Sequence, residues 1–362
     1  MNEQETIQLS HKEFLKIHDD PEKAAKAVDL KYVSDAEPGI ERQKKGSGFT
    51  YVFKGKSLRD KSQIERIRKL VLPPAWKNVW ICQYANGHLQ ATGIDALGRK
   101  QYKYHALWQQ LRNETKFHRM HEFGKALPGI RLQLEKDTCG KELSERKVLA
   151  AVVSLMERTF IRVGNDSYEK LYGSYGLTTM KDNHVSINGN HVEFSFKGKK
   201  GVYHKISLRS KRLANIVKAC RDIPGKELFQ YLDDEGKRKT IDSGSVNEYI
   251  REISKQDFTT KDFRTWAGSV ALLQSLCTIG KANSATEVKK NIVSALDEVS
   301  KKLGNTRAIC KKYYVHPELV RLYENNSLDK YLDELEKLAE CDDHTDLTKD
   351  EKVLMKILST FK

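Results

Sequence analysis

Residues 184–207, His-Val-Ser-Ile-Asn-Gly-Asn-His-Val-Glu-Phe-Ser-Phe-Lys-Gly-Lys-Lys-Gly-Val-Tyr-His-Lys-Ile-Ser, alternate apolar and polar side chains. Period two is the spacing of a strand with one buried face, and Asn188-Gly189-Asn190 and Lys197-Gly198-Lys199-Lys200-Gly201 supply the residues that tight turns require. The stretch therefore reads as a three-stranded β-meander. Its neighbours on both sides are helical. Upstream, residues 142–162 carry Leu143, Val148, Leu149, Val152, Val153, Leu155, Met156 and Phe160, an apolar coverage wide enough for a core helix. Downstream, helices resume from Lys211. Ser245-Val246-Asn247-Glu248 reads as a capping box, and Thr259 or Thr260 caps a helix running from Lys261 through Leu273. Residues 284–302 form another helix, and Pro317 opens a further one. Consecutive strands set among helices predict an α+β fold.

Strand patterning also marks residues 49–53 and 79–84 and, after the Asn86-Gly87 turn, 88–92. Between the first two lies a helix that Ser62 can cap, with Ile64, Ile67 and Val71 at helical spacing and Pro73-Pro74 as its stop. Residues 98–105 put Tyr102 and Tyr104 on one face of a strand and Gln101 and Lys103 on the other. The expectation is a small antiparallel sheet with one helix. Three regions follow: a partly ordered arm at 1–45, a β-rich domain at 46–110, and a mainly helical domain at 111–362 that carries the meander. The tail reads as helical and acid-rich around 340–346.

Lys and Arg number 64 against 49 Asp and Glu among 362 residues, a formal net charge of +15. A surplus of that size favours a polyanionic partner. Six scattered cysteines without a C-x-x-C pair indicate free thiols in a reducing compartment, and neither a disulfide framework nor structural zinc. No apolar run is long enough to span a bilayer, and the polar, acidic start is unlike a signal peptide. A cytoplasmic, nucleoid-associated protein is expected.

Four features bear on chemistry. Arg162 stands alone after the long apolar helix. Lys199 lies at the second tip of the meander. Lys261 and Arg264 are three apart on one helix, which predicts a shared face with repulsion that an anion would relieve. The segment 304–314, Gly-Asn-Thr-Arg-Ala-Ile-Cys-Lys-Lys-Tyr-Tyr, ends in two tyrosines. Reversible cleavage of a phosphodiester needs a nucleophile, neutralisation of the non-bridging oxygens and a proton for the leaving oxygen. A tyrosine can supply the first, two arginines the second, and a lysine whose pKa is lowered by neighbouring cations the third. The covalent ester would conserve the bond energy, so resealing needs no ATP. Gly55-Lys56-Ser57 has the tail of a phosphate-binding loop, but Thr50 stands where its first glycine belongs. No metal-ligand pattern is present, and no cofactor is expected.

The ordered set Arg162, Lys199, Lys261-x-x-Arg264, Gly304-Asn305-Thr306 and Cys310-Lys311-x-x-Tyr314 resembles the type IB DNA topoisomerases, in the compact poxvirus-like form found in bacteria. The likeness runs from about Leu30 to about Asn326. Upstream it includes Tyr32-Val33-Ser34-Asp35-Ala36-Glu37-Pro38-Gly39, Leu72-Pro73-Pro74-Ala75-Trp76 and Gly98-Arg99-Lys100-Gln101-Tyr102-Lys103-Tyr104. The resemblance implies a β-rich N-terminal domain and a helical catalytic domain forming a clamp around duplex DNA. Through the family's Ser-Lys-x-x-Tyr motif it selects Tyr314 over Tyr313 as nucleophile. It also implies Arg162 and Arg264 as phosphate clamps, Lys199 as general acid, Asn305 in the place of a histidine that donates to a non-bridging oxygen, and Gln101, Tyr102, Tyr104, Lys261 and Lys311 as DNA contacts. Cys310 replaces the motif's serine. One active site suffices for this chemistry, so a monomer is expected.

Two other functions use similar residues. A tyrosine recombinase shares an Arg-Lys-Arg-Tyr set, but typically has His-x-x-Arg where this chain has Lys261-x-x-Arg264. A non-catalytic DNA-binding protein has no need of Tyr314 among these cations.

Overall fold

The computed structural model describes residues 7, 9–96, 98–338 and 343–361. They form two units, 1–119 and 120–361, each with its own core. The fold is α+β. The first unit contains α1 (His11–Ile17), α2 (Pro21–Lys26), β1 (Ile40–Lys45), β2 (Gly48–Phe53), β3 (Lys56–Ser57), α3 (Lys61–Lys69), β4 (Lys77–Ile81), β5 (Leu89–Ile94), β6 (Lys100–Tyr104) and α4 (Ala106–His118). The strands make one antiparallel sheet in the order β3-β2-β1-β4-β5-β6. Ile40, Ile67, Val79, Ile81 and Ala91 form the core between that sheet and α3.

The segment 1–45, expected as a partly ordered arm, contributes two helices and a strand. Helices α1 and α2 have seven and six residues, too short to show periodicity. Caps at Ser10 and Asp20 close them, and Phe14, Ala24 and Ala25 pack with Trp108 and Leu111 of α4. That packing draws α4 into the first unit, so the boundary expected at 110 moves to Arg119. Strand β1 is charged almost throughout, and only Ile40 is buried. Main-chain pairing to β2 and β4 holds it, helped by Arg42, which donates to the carbonyls of Leu72, Pro73 and Trp76 and lies over the Phe49 ring.

Two helix starts also differ from expectation. Helix α3 is capped by Asp60, whose carboxylate accepts from the main-chain N–H groups of Ser62 and Gln63. A carboxylate satisfies these donors and complements the positive end of the helix, which the Ser62 hydroxyl does not.

The second unit begins with α5 (Met120–Thr138), α6 (Glu145–Thr159) and α7 (Asp166–Tyr172). The meander follows as β7 (Val185–Asn188), β8 (His191–Lys197) and β9 (Tyr203–Arg209), paired in that order as read from the sequence. After α8 (Lys211–Asp222) and a small hairpin of β10 (Gln230–Leu232) and β11 (Arg238–Thr240) come α9 (Ser243–Ser254), α10 (Thr260–Ile279), α11 (Ala285–Leu303), α12 (Arg307–Tyr313), α13 (Pro317–Glu324), α14 (Asp329–Lys337) and α15 (Lys349–Ser359). Helix α9 opens at Asp242, with Ser245 completing the box from inside, rather than at Ser245 itself.

Helix α6 is buried along nearly its whole length. Helix α10 passes beside it and is tied to α15 by a hydrogen bond of 2.9 Å from Trp266 Nε1 to Glu351. Glu351 also receives Arg131 of α5, which in turn reaches Glu157 of α6. One buried ion cluster thus joins four helices. Part of the acid-rich tail, Glu340 and Asp342 included, lies outside the described residues, as does Cys341. The other five cysteines are free thiols. Among the described residues, no helix is long and apolar enough to cross a membrane.

Candidate active site

Helix α6 ends abruptly. Phe160 adopts left-handed geometry (φ 57°, ψ 14°), Ile161 is buried beneath it, and Arg162 emerges facing α11. Its Nη2 donates to the Gly304 carbonyl at 2.9 Å and to Asn305 Oδ1 at 2.9 Å. The main chain around Arg162 is held by Gly176 to Thr178. Leu177 N–H donates to the Arg162 carbonyl, and a methyl group at Gly176 would lie 2.5 Å from that oxygen.

Helix α10 supplies the second guanidinium. Thr259 and Asp262 form its capping box, and Arg264 follows at the start of the second turn, 7% exposed. Arg264 donates from Nη1 to the Phe160 carbonyl at 2.6 Å and from Nη2 to the Leu303 carbonyl at 2.7 Å. Both arginines thus bind the end of α11, and Arg264 also binds the end of α6. Neither has a carboxylate partner among the described residues. Burial, and then the charge of Arg264, pull the Arg162 guanidinium down to about 10. Arg264 is likewise lowered by burial, against the opposing influence of the Tyr314 phenol. Its Nε is buried with no well-formed hydrogen bond. A buried donor left open beside a second uncompensated cation is suited to an anionic oxygen.

Tyr314 is the C-cap that follows α12, whose N-cap is Thr306. Its ring lies beside Arg264, 5.2 Å from centroid to guanidinium carbon. Tyr313, one position earlier, is the last residue of α12. What seats Tyr314 is Gly268, one turn after Arg264 on α10: a methyl group there would lie 2.4 Å from the Tyr314 carbonyl oxygen. Sequence reasoning passed over Gly268. The available signal was a glycine in the interior of an otherwise strongly helical run.

Asn305 lies between the left-handed cap Gly304 and the cap Thr306, its N–H donating to the Ser300 carbonyl. The contact with Arg162 fixes its amide oxygen, and its NH2, which donates to the Leu303 carbonyl at 3.5 Å, has a second N–H left to donate elsewhere. Cys310 is fully buried. Burial pushes its thiol up, with Arg264 and Arg162 pulling the other way.

The structure brings together Arg162, Arg264, Asn305 and Tyr314. Lys199 makes no hydrogen bond with any of them and is exposed in a short turn (Lys199–Gly201), its ammonium 5.8 Å from the Tyr168 ring centroid. The face expected to be shared by Lys261 and Arg264 is not shared. Lys261 is exposed in the first turn of α10, whereas Arg264 turns into the protein, drawn by the Phe160 and Leu303 carbonyls. Lys311 is exposed on α12.

In the first unit, Tyr102 and Tyr104 of β6 stack with centroids 5.9 Å apart, and Tyr102 is exposed. Gln101 is held by Asp95, to which its Nε2 donates at 2.9 Å, and Lys100 pairs with Asp35.

Comparison with known proteins adds an independent line. Residues 105–340 match the family described as eukaryotic DNA topoisomerase I, catalytic core, and residues 48–95 match bacterial DNA topoisomerase IB, N-terminal domain. The chain is 32% identical over 296 residues to the DNA topoisomerase 1B of Acanthamoeba polyphaga mimivirus, covering 80% of this chain and 88% of that protein. It is 26% identical over 242 residues to the DNA topoisomerase 1B of Vaccinia virus (strain Copenhagen), covering 66% and 73%.

Proposed function

The chain belongs to the type IB DNA topoisomerases, and from that premise we propose that it relaxes supercoiled duplex DNA through a 3′-phosphotyrosyl intermediate on Tyr314, with neither ATP nor metal. The observation that carries this reading is the Tyr314 phenol beside the buried Arg264, with its open Nε, and the half-buried Arg162, neither of which has a carboxylate partner among the described residues. Arg162 and Arg264 hold the non-bridging oxygens of the scissile phosphate as charge builds on them. The phenolic oxygen bonds to phosphorus and releases its proton to water. The bond from phosphorus to the 5′ oxygen breaks, its electron pair stays on that oxygen, and the Lys199 ammonium protonates it. Asn305 donates one neutral hydrogen bond from its NH2. After the free end rotates, the 5′ hydroxyl attacks phosphorus, returns its proton to Lys199 and expels the phenolate.

On this reading the exposed Lys199 reaches the leaving 5′ oxygen from the hairpin tip. Gln101, Tyr102, Tyr104, Lys261 and Lys311 contact the duplex on this reading. One copy of the chain, acting in the cytoplasm on the nucleoid, suffices.

Supercoiled plasmid incubated with the protein in EDTA without ATP tests the proposal. Relaxation is expected, together with a covalent protein–DNA adduct after denaturation. Tyr314→Phe should bind DNA but give neither. Loss of the adduct in Tyr313→Phe instead would move the nucleophile by one residue, and joining of two specific sites without relaxation would favour a recombinase.

A further inference from the structure

His204, on β9, has no part in the reaction as written above, yet its imidazole fills a slot between two glycines. A methyl group at Gly198 would lie 2.6 Å from its Cδ2, and one at Gly304 would lie 2.5 Å from its Cε1. The ring also stacks on Phe196, its partner across the β8–β9 pair, with centroids 5.3 Å apart. Each glycine leads into the site. Gly198 directly precedes Lys199 at the hairpin tip. Gly304 offers its carbonyl to Arg162 and directly precedes Asn305. A small cavity beside the ring is bounded by Arg162, Tyr175 and Lys302.

The charged groups facing the ring are cationic: Arg162 after α6, Arg264 from α10 and Lys302 from α11. Lys197 and Lys199 belong to the hairpin itself, and Tyr175 is the other titratable neighbour. Burial, and then Arg162 and Arg264, lower the imidazole below its usual range. A neutral ring between two glycines can pack closely without adding to the charge of the arginine pair.

We propose that His204 is a positioning residue for strand cleavage: by packing between Gly198 and Gly304 it fixes the base of the Lys199 hairpin against the Arg162–Asn305 corner, and so sets the reach of Lys199 to the leaving 5′ oxygen. The inference rests on the reading of Lys199 as proton donor. It separates two properties of the hairpin. The base is anchored by one ring, and the tip beyond it carries the exposed lysine. A side chain at Gly198, or a smaller one at position 204, unfastens the base while leaving Lys199 and both arginines in place.

Single-turnover cleavage of two saturating duplexes tests this, one ordinary and one with sulfur replacing the 5′ oxygen at the scissile bond. A thiolate leaves without a proton, so a defect in proton delivery disappears on the sulfur duplex, whereas a defect in phosphate clamping or folding does not. His204→Ala should slow the ordinary duplex about 10- to 100-fold and the sulfur duplex less than about 3-fold. Gly198→Ala, which displaces the ring without removing it, should behave alike and carries the test if His204→Ala melts below the assay temperature. Lys199→Ala is the control. If Lys199→Ala is restored by sulfur while both other variants stay equally slow on the two duplexes, the role of His204 is overturned and that of Lys199 stands. If Lys199→Ala itself is not restored, the proton-donor reading fails and takes the inference with it.

Discussion

The main chain of Tyr314 rests on Gly268, with no room between them for a methyl group. Because Gly268 follows Arg264 by one helical turn, a single face of α10 sets both a phosphate-binding guanidinium and the backbone of the nucleophile. Gly268→Ala should therefore shift the phenol relative to Arg264. Its expected effect is a fall in the cleavage rate of about 100-fold, the scale of an ångström's misplacement. Nitrocellulose binding at fixed salt should change little, and unaltered cleavage would show that α12 accommodates the methyl group freely.

Asn305→Asp tests the missing counter-charge. The new carboxylate would meet the Arg162 Nη2 that now donates to the amide oxygen at 2.9 Å, and would compete with the scissile phosphate. Single-turnover cleavage should drop by at least about 100-fold, the scale of losing one transition-state donor. The variant should also show a shallower salt dependence of DNA binding. A rate within twofold of the parent would mean that Arg162 does not face the phosphate.

The buried cluster of Arg131, Glu157 and Glu351 predicts a pH-dependent stability. Burial alone would raise the Glu351 carboxyl, but the hydrogen bonds and charge of Arg131, with Trp266, outweigh it and hold the carboxyl below its usual value. A group depressed in the folded state stabilises above its unfolded pKa, and that contribution is lost as pH falls through the folded value. Thermal melting should therefore show an acid-dependent loss below about pH 4.5 that is smaller in Glu351→Gln. At neutral pH Glu351→Ala should cost about 3 kcal/mol, because it leaves part of a buried guanidinium unpaired.

The thiols should react in a fixed order. Cys139 is exposed, whereas Cys310 is fully buried with its thiol pushed up chiefly by burial. Iodoacetamide at pH 8 followed by peptide mass spectrometry should label Cys139 fully while Cys310 remains unmodified and cleavage activity is retained. Early labelling of Cys310 would mean that the arginine pair activates it despite its burial.

What could be read from the sequence was whatever repeats along the chain. The meander and the apolar length of α6 were visible because burial of one face, or of all faces, leaves a period in the residues. Strand β1 left none, since hydrogen bonding of its main chain and the reach of Arg42 hold it rather than side-chain burial. Arg162, Arg264, Asn305 and Tyr314 could be named one by one from family motifs, but their meeting depends on helix ends that lie far apart in the chain. The same limit hid Gly268 and His204, whose roles are defined by what they leave room for or fill. Lys261 illustrates the opposite error: spacing of three on a helix brings two residues to one side, but only Arg264 found carbonyls to turn toward.

Those carbonyls have a further consequence. Phe160 closes α6, and Leu303 and Gly304 close α11, so the two guanidiniums sit at the negative poles of two helices. The partial charge there is enough to fix two cations side by side and too small to neutralise them. Apart from the Asn305 amide oxygen that also meets Arg162, the anchor is peptide rather than side chain, and a change of side chain does not delete these carbonyls. The arginines themselves, Asn305 and the shape of two helix ends are what selection must guard.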